Sequence, residues 1–168
     1  MTKPLPSCLV ITHKLIRLHN NYCMNYRLTI RQMTKEDVPK LRLDAPWMYE
    51  RFIDCIDRDL GPAFIVEEGD NALCAFGALF EWGQHGACEV WFNLIANRRT
   101  FNIARIVKRL LPKLARKYQV TRMQALVKCG SAVNNRFMEF MGFVNETPFG
   151  MKNKLYNGET AFLYARYF

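Results

Sequence analysis

Hydrophobic residues recur along the chain with two periods, and these periods separate predicted strands from predicted helices. In residues 27–33, Leu28 and Ile30 alternate with polar side chains, which indicates a strand with one buried face. In residues 49–60, apolar side chains recur every three or four positions, which indicates a helix buried on one side. The full pattern predicts strands at residues 27–33, 63–67, 73–82, 88–96, 121–128, from 143 onward and 160–167, and helices at residues 34–43, 49–60, 99–118 and 131–141.

The order of these elements predicts one α/β (α+β) domain. Residues 88–96 are nearly all apolar, so we expect a central strand buried on both faces. The helix at 99–118 then connects this strand to the strand at 121–128, and such a crossover is right-handed with parallel flanking strands. The prediction is a single-domain fold with a mixed sheet of six or seven strands flanked by helices.

Local signals predict where the helices begin and end. Thr34 followed by Asp37 resembles a capping box at the start of the first helix. Pro112 is expected to kink or break the helix at 99–118. Gly142 stands where the glycine that follows a helix belongs. The helix before it is expected to turn Val133, Phe137, Phe140 and Met141 inward.

Composition narrows the class of protein. The chain has 168 residues, 50% of them hydrophobic and 13% aromatic, which is enough for one folded core and excludes general disorder. No apolar run approaches the roughly 18–20 residues of a membrane span, so no membrane partner is expected. The six cysteines form no CxxC pair and the three histidines are scattered, which predicts reduced thiols, a cytoplasmic setting and no metal.

The first 23 residues differ from the rest of the chain. Residues 1–23 carry three basic side chains and no acidic one, and Met24 stands just before the first patterned strand. We expect residues 1–23 to be a poorly ordered N-terminal extension or the product of an upstream start codon. The folded domain is therefore predicted to comprise residues 24–168.

The positive charge of the chain is concentrated in one region. The net charge is +9, and residues 98–128 contain ten basic residues and no acidic one, whereas the rest holds 14 basic and 15 acidic residues. Such a stretch predicts an anionic partner: phosphate groups, nucleic acid or an acidic protein surface. The alternative is a solvated helix face without a partner.

Three segments resemble the GCN5-related N-acetyltransferase (GNAT) family. Residues 28–38 look like the family's opening strand and capped helix, residues 134–143 are similar to its last helix with the terminal Gly-Phe pair, and residues 98–102 occupy its acetyl-CoA phosphate loop. Five short segments also resemble bacteriophage-encoded GNAT-like proteins, which include small internal virion proteins. These segments are Val90-Trp91, residues 98–101, Arg136-Phe137, residues 148–150 and residues 162–164. The resemblance implies an N-acetyltransferase that takes acetyl-CoA as co-substrate and an amine as acceptor. It also implies that the strands at 88–96 and 121–128 splay apart at their C-terminal ends.

The resemblance also implies which residues form the site. The cofactor-binding residues would be Ile95, Arg98, Arg99, Thr100, Asn102 and Asn134. Asn102 replaces the first glycine of the family's phosphate loop, and the two arginines can compensate through charge-assisted contacts to phosphates. Glu89 is the preferred general base, and Glu81 is the alternative.

Two departures from the family's pattern weaken the enzyme interpretation: Asn102 in the phosphate loop and Met138 in the last helix. Met138 stands four residues before Gly142, where many family members carry a tyrosine acid, and methionine has no proton to donate. The competing hypotheses are therefore a phage protein that acts by binding, as a virion component or host-directed effector, and a nucleic-acid binder that grips phosphates through residues 98–128.

Overall fold

The computed structural model describes residues 28–43, 45–80, 86–95 and 100–168, and the elements below lie in these ranges. The predicted extension at residues 1–23 lies outside them. The strands are β1 (Leu28–Gln32), β2 (Ala63–Glu68), β3 (Asn71–Leu79), β4 (Ala87–Leu94), β5 (Arg122–Lys128), β6 (Val144–Asn145) and β7 (Ala161–Tyr167). The helices are a 3-10 helix (Lys35–Lys40), α1 (Pro46–Asp57), α2 (Thr100–Lys117) and α3 (Ala132–Phe140).

The described strands form one mixed sheet in the order β1-β2-β3-β4-β5-β7-β6. Every neighbouring pair is antiparallel except β4 and β5, which are parallel and are connected through α2. The predicted mixed sheet of six or seven strands is confirmed, and so is the parallel pairing around the crossover. No described helix is long and apolar enough to cross a membrane.

The helices cover both faces of the sheet. On one face α2 and α3 pack onto β3, β4, β5 and β7 through a large hydrophobic cluster that includes Phe76, Val90, Val107 and Tyr164. On the other face the 3-10 helix and α1 pack against a smaller cluster around Val38. Each strand therefore sends alternate side chains to two different environments.

Trp91 positions α1 on the sheet. Its ring lies edge-on to Phe52 of α1, with ring centroids 4.7 Å apart. Gly77 is its cross-strand neighbour, and a Cβ built at Gly77 would lie 2.7 Å from the indole ring and 2.6 Å from the carbonyl oxygen of Pro62. The indole ring therefore needs glycine beneath it.

A charged network fastens the 3-10 helix to the sheet edge. The guanidinium of Arg31 donates to both carboxylate oxygens of Asp37 at 2.6 and 2.7 Å and also to Glu67 at 2.7 and 2.9 Å. Lys40 donates to Asp37 at 2.7 Å. Asp37 is only 2% exposed, and the hydrogen bonds from Arg31 hold the pKa of its carboxyl well below its usual range.

Several local predictions need correction. The segment predicted as a helix at 34–43 is a short 3-10 helix. The predicted capping contact is present, because Asp37 accepts from the Thr34 backbone N–H at 3.0 Å. Pro39 lies inside the segment and removes a hydrogen-bond donor that an α-helix needs. β4 is not buried along both faces, because only Cys88 and Val90 are fully buried.

The predictions for α2 and α3 are partly wrong. α2 continues through Pro112 without a break. Val133 is 78% exposed rather than inward-facing, since Met138 and Met141 set the buried side of α3. Gly142 has φ +86°, which confirms its predicted place after the helix.

Candidate functional site

The parallel strands β4 and β5 separate part of the way along their length. They are paired at Ala87 with Arg122, at Cys88 with Met123 and at Glu89 with Gln124. β4 then continues to Leu94 and β5 to Lys128 without further pairing between them. We call the gap between residues 90–94 and 125–128 the β4–β5 opening. The predicted splay is therefore confirmed.

Each strand keeps its outer partner along the opening. β4 remains paired with β3 as far as Leu94 opposite Cys74, and β5 remains paired with β7 as far as Lys128 opposite Ala161. The backbone N–H and C=O groups that face the opening are outside any ladder among the described residues. An unpaired strand edge is a ready template for an extended, amide-containing chain.

Helices α2 and α3 border the opening on one face of the sheet. Phe137 of α3 lies edge-on to Phe92 of β4, with ring centroids 5.3 Å apart. Phe101 in the first turn of α2 lies 5.3 Å from Phe140 of α3, measured between ring centroids. These aromatic contacts join the two helices and β4 where the strand pairing is missing.

The N-terminus of α2 follows directly after the segment that leaves β4. The first turn of α2 holds no acidic residue, and Asn102 within it is exposed. Free backbone N–H groups and the helix dipole make such an end favourable for anions. The sequence predicted phosphate contacts from Arg98 and Arg99 and named Glu81 as the alternative base. All three lie outside the described residues. α2 begins at Thr100, whose side chain is also outside the described part.

Glu89 lies at the closed end of the opening, in the last residue pair that joins β4 to β5. Its neighbours Cys88 and Val90 belong to the cluster under α2, so Glu89 faces the opposite side of the sheet, where α1 lies. Its carboxylate has no hydrogen bond and no ion pair among the residues that the structure describes. Burial raises the pKa of Glu89, and the nearby charges of Arg51 and Lys154 offset part of that rise.

Two elements converge on the face that Glu89 occupies. Trp47 of α1 and Tyr156 of the segment between β6 and β7 meet edge to face, with ring centroids 5.2 Å apart. α1 contributes Arg51, which lines a small cavity of about 50 Å³ together with Leu79 and Trp91. Leu79 is the cross-strand partner of Glu89, so this cavity borders the Glu89 position.

Two further predicted site residues lie just after β4 and near the start of α3. Ile95 follows β4, packs against the cluster under α1 and donates its N–H to the Leu73 carbonyl at 2.9 Å. Asn134 is exposed near the start of α3. Their predicted roles in cofactor binding stay predictions. Met138 is 3% exposed and lies in the core, so this position of α3 faces the protein interior.

Sequence reasoning missed Asn135. Its Nδ2 donates to the Cys129 carbonyl at 3.1 Å, just beyond the end of β5, while its Oδ1 is buried without a partner among the described residues. The signal was present, because Asn135 precedes Met138 by three residues and so shares its inward side of the helix. The sequence analysis selected the neighbouring Asn134, whose role in cofactor binding stays a prediction.

Comparison with known proteins identifies the fold. No family model matches the chain, and no curated protein matches its sequence. Solved structures do match. They include a chimera of the Vibrio cholerae spermidine N-acetyltransferase, with 14% identity over 83% of this chain and 95% of that chain at a TM-score of 0.66.

Two other structures give the same result. The IAA acetyltransferase from Bacillus cereus has 14% identity over 84% of this chain and 99% of that chain, with a TM-score of 0.67. A ribosomal L7/L12 α-N-protein acetyltransferase in complex with coenzyme A has 16% identity over 83% of this chain and 93% of that chain, with a TM-score of 0.65. The chain therefore has the single-domain fold of the GNAT acetyltransferases.

Proposed function

We propose that this protein transfers an acetyl group from acetyl-CoA to an amine. The observation that carries the proposal is the β4–β5 opening with Glu89 at its closed end. The opening offers two unpaired strand edges, and Glu89 is a half-buried carboxylate that no described residue neutralises by contact. The fold shared with acetyltransferases of known structure supports the same conclusion.

The opening fits the extended arm of acetyl-CoA, which carries two amide groups. The free edge of residues 90–94 would hydrogen-bond these amides in the manner of an added strand. The N-terminus of α2 would hold the diphosphate, with Arg98, Arg99, Thr100 and Asn102 as the proposed contacts. Ile95 and Asn134 are proposed to border the cofactor at the two sides of the opening. The cofactor supplies the activated acetyl thioester.

Glu89 is proposed to act as the general base. A carboxylate whose pKa is raised by burial is better matched to accepting a proton from an ammonium group near neutral pH than an exposed one. Its position at the closed end of the opening would place it beside the reacting end of the cofactor. Met138 is buried and its side chain has no acidic proton, so the proton for the departing sulfur would come from water.

The charges around Glu89 indicate which amines fit. Arg51 lines the cavity that borders Glu89, and the positive charges of Arg51 and Lys154 both act to lower the pKa of its carboxyl group. A polyamine would meet these cations with its own positive charges. We therefore propose an acceptor whose amine stands close to an anionic group, such as an amino acid or an acidic peptide.

A second candidate is a binding protein that keeps the fold without catalysis, as expected for the phage-encoded relatives that its motifs resemble. Two observations favour it: exposed Asn102 replaces a glycine in the first turn of α2, and buried Met138 replaces a tyrosine acid. In a protein of this kind the opening would either bind acetyl-CoA or stay empty, and no acetyl group would be transferred.

The test is an acetyl-transfer assay with a panel of amines, in which the parent is compared with Glu89→Gln. Loss of a positioned base typically lowers the rate by about 10²–10⁴-fold. Glu68→Gln, at the end of β2, is the matched control and should retain the parent rate. Amino acids and acidic peptides should be better acceptors than spermidine, and Lys154→Glu should reverse that preference. An inactive parent that still binds acetyl-CoA would favour the second candidate.

A further inference from the structure

All charged residues of helix α2 are positive. Between Thr100 and Lys117 the helix has six cations and no acidic residue. Its buried side consists of Ile103, Ala104, Val107, Leu111 and Ala115, which are all less than 5% exposed. The cations lie on the outer side, where Arg105, Arg109, Lys113, Arg116 and Lys117 are exposed and Lys108 is half-buried. We call these six residues the α2 basic face.

No carboxylate among the described residues neutralises the α2 basic face, since none of its side chains takes part in a described ion pair. Three of the six lie over aromatic rings instead: Arg105 over Phe101, Lys108 over Phe140 and Lys117 over Tyr118. By contrast, several cations elsewhere in the described chain are paired with carboxylates, as Arg58 is with Asp54 and Arg122 is with Glu146. The charge of α2 is therefore directed toward an external anion.

The charge is also segregated between the two faces of the sheet. α2 lies on one face, whereas α1 lies on the other and contains three acidic residues, Glu50, Asp54 and Asp57, with Arg51 as its one basic residue. A polyanion is therefore attracted to one side of the molecule and repelled from part of the other. Such a field orients a charged partner before contact.

The composition of the surface favours nucleic acid over an acidic protein. From Arg105 to Lys117 the only exposed residue that is not a cation is Pro112. Protein–protein interfaces usually have an apolar or aromatic centre, and the surface from Arg105 to Lys117 has none; the exposed ring of Phe101 lies at one end, under Arg105. A phosphate backbone is held by positive charge alone, without a base-reading motif. At 1.5 Å per residue, the helix spans about 27 Å, enough to follow several successive phosphates.

We propose that the α2 basic face binds the phosphate backbone of nucleic acid without sequence preference. The face begins beyond the first turn of α2, and the proposal does not rest on acetyl transfer. If five cations each neutralise a phosphate, log K should fall against log salt with a slope of about −4.5 on duplex DNA. Binding should then weaken about 500-fold between 50 and 200 mM salt.

The test measures binding of a fluorescein-labelled 24-base-pair duplex by anisotropy across a salt series, without acetyl-CoA. Arg109→Gln/Lys113→Gln/Arg116→Gln should lower the steepness of the salt slope by about 2.7 and weaken binding at each low salt concentration. The control, Lys35→Gln/Arg42→Gln/Lys152→Gln, removes three exposed cations from other parts of the surface and should leave the slope unchanged.

Three results would overturn the proposal. The first is no binding of the duplex at 50 mM salt. The second is an equal effect of the two triple variants, which would show that net charge alone attracts the duplex. The third is tight binding of labelled polyglutamate with no binding of the duplex, which would assign the face to an acidic protein. Circular dichroism melts of both variants confirm that the fold is retained, and acetyl-CoA binding should be equal in all three proteins.

Discussion

Replacing Glu89 with glutamine should stabilise the fold while it removes acetyl transfer. Glutamine keeps the shape of the side chain and resembles the protonated acid, but it cannot accept the proton of the amine. Among the described residues the Glu89 carboxylate has no hydrogen bond, and burial raises its pKa. A residue retained only for structure would show the opposite result, because its loss would destabilise the protein.

The expected gain follows from the cost of an unpaired buried group. A buried polar group without a partner costs about 1–3 kcal/mol, more when it is charged. Glu89 is only half-buried, and Arg51 and Lys154 offset part of the cost, so the lower end of that range applies. We expect the free energy of unfolding to rise by about 1 kcal/mol, which corresponds to about 2–4 °C in Tm for a chain of this length.

The difference in stability between the parent and Glu89→Gln should depend on pH. A carboxyl group whose pKa is raised in the folded state favours folding at low pH and loses that contribution as pH rises through the raised value. The parent and Glu89→Gln should therefore have equal stability below about pH 4 and separate above it, with the variant more stable at pH 7. Urea titrations at pH 4 and pH 7 measure this difference. A variant that is less stable than the parent at pH 7, with unchanged acetyl transfer, would refute the reasoning.

The remaining predictions concern the fold around the site. Asp37→Asn should lower the free energy of unfolding by about 3 kcal/mol at pH 7, as measured by urea titration. The loss should shrink below about pH 4, because a carboxyl group with a lowered pKa stabilises the fold only above the pH range where the unfolded carboxyl titrates. Gly77→Val should cost at least about 1–3 kcal/mol by thermal melting and shift tryptophan fluorescence as Trp91 is displaced, whereas Gly130→Val, which has open space, should leave that emission unchanged. Gly142→Ala should cost about 1–2 kcal/mol in the same melts from its positive φ alone, since its new Cβ would meet only ordinary contacts; an unchanged Tm would contradict this.

The sequence predicted the order of elements because most of them show a clear period. β5 alternates between buried and partly exposed positions, and α2 places Ile103, Val107 and Leu111 on one side, so both were found with ends close to those observed. The 3-10 helix was predicted as longer and α-helical, because a capping box marks where a helix begins but not how many turns follow. Pro39 decided its length.

The site was predictable only where a single residue and its strand define it. Glu89 could be placed near the start of a central strand from the sequence alone. Among the described residues Glu89 has no hydrogen-bond partner, and only the charges of Arg51 and Lys154 act on it. This surrounding depends on α1 and the segment before β7 meeting over the sheet, through Trp47 and Tyr156. Contacts between residues so far apart in the chain leave no local pattern.

The orientation of α3 shows a different limit. Five of its nine residues are apolar and they are spread around the helix, so the period does not distinguish one buried side from another. The sequence analysis turned Val133 inward, whereas the structure buries Met138 and the Asn135 Oδ1 atom. The side that faces the core is set by how α3 packs on β5, which the helix sequence alone does not contain.

The central claim is that the β4–β5 opening receives acetyl-CoA, and amide hydrogen exchange with and without acetyl-CoA tests it most directly. Amides of residues 90–94 and 125–128 that face the opening have no ladder partner in the described part of the chain, so a bound extended arm should slow their exchange. Peptides from β1 and β2, far from the opening in the sheet, serve as the internal control and should be unchanged. We predict protection of residues 90–94 at acetyl-CoA concentrations that also raise Tm. A rise in Tm without protection of residues 90–94 would contradict the account.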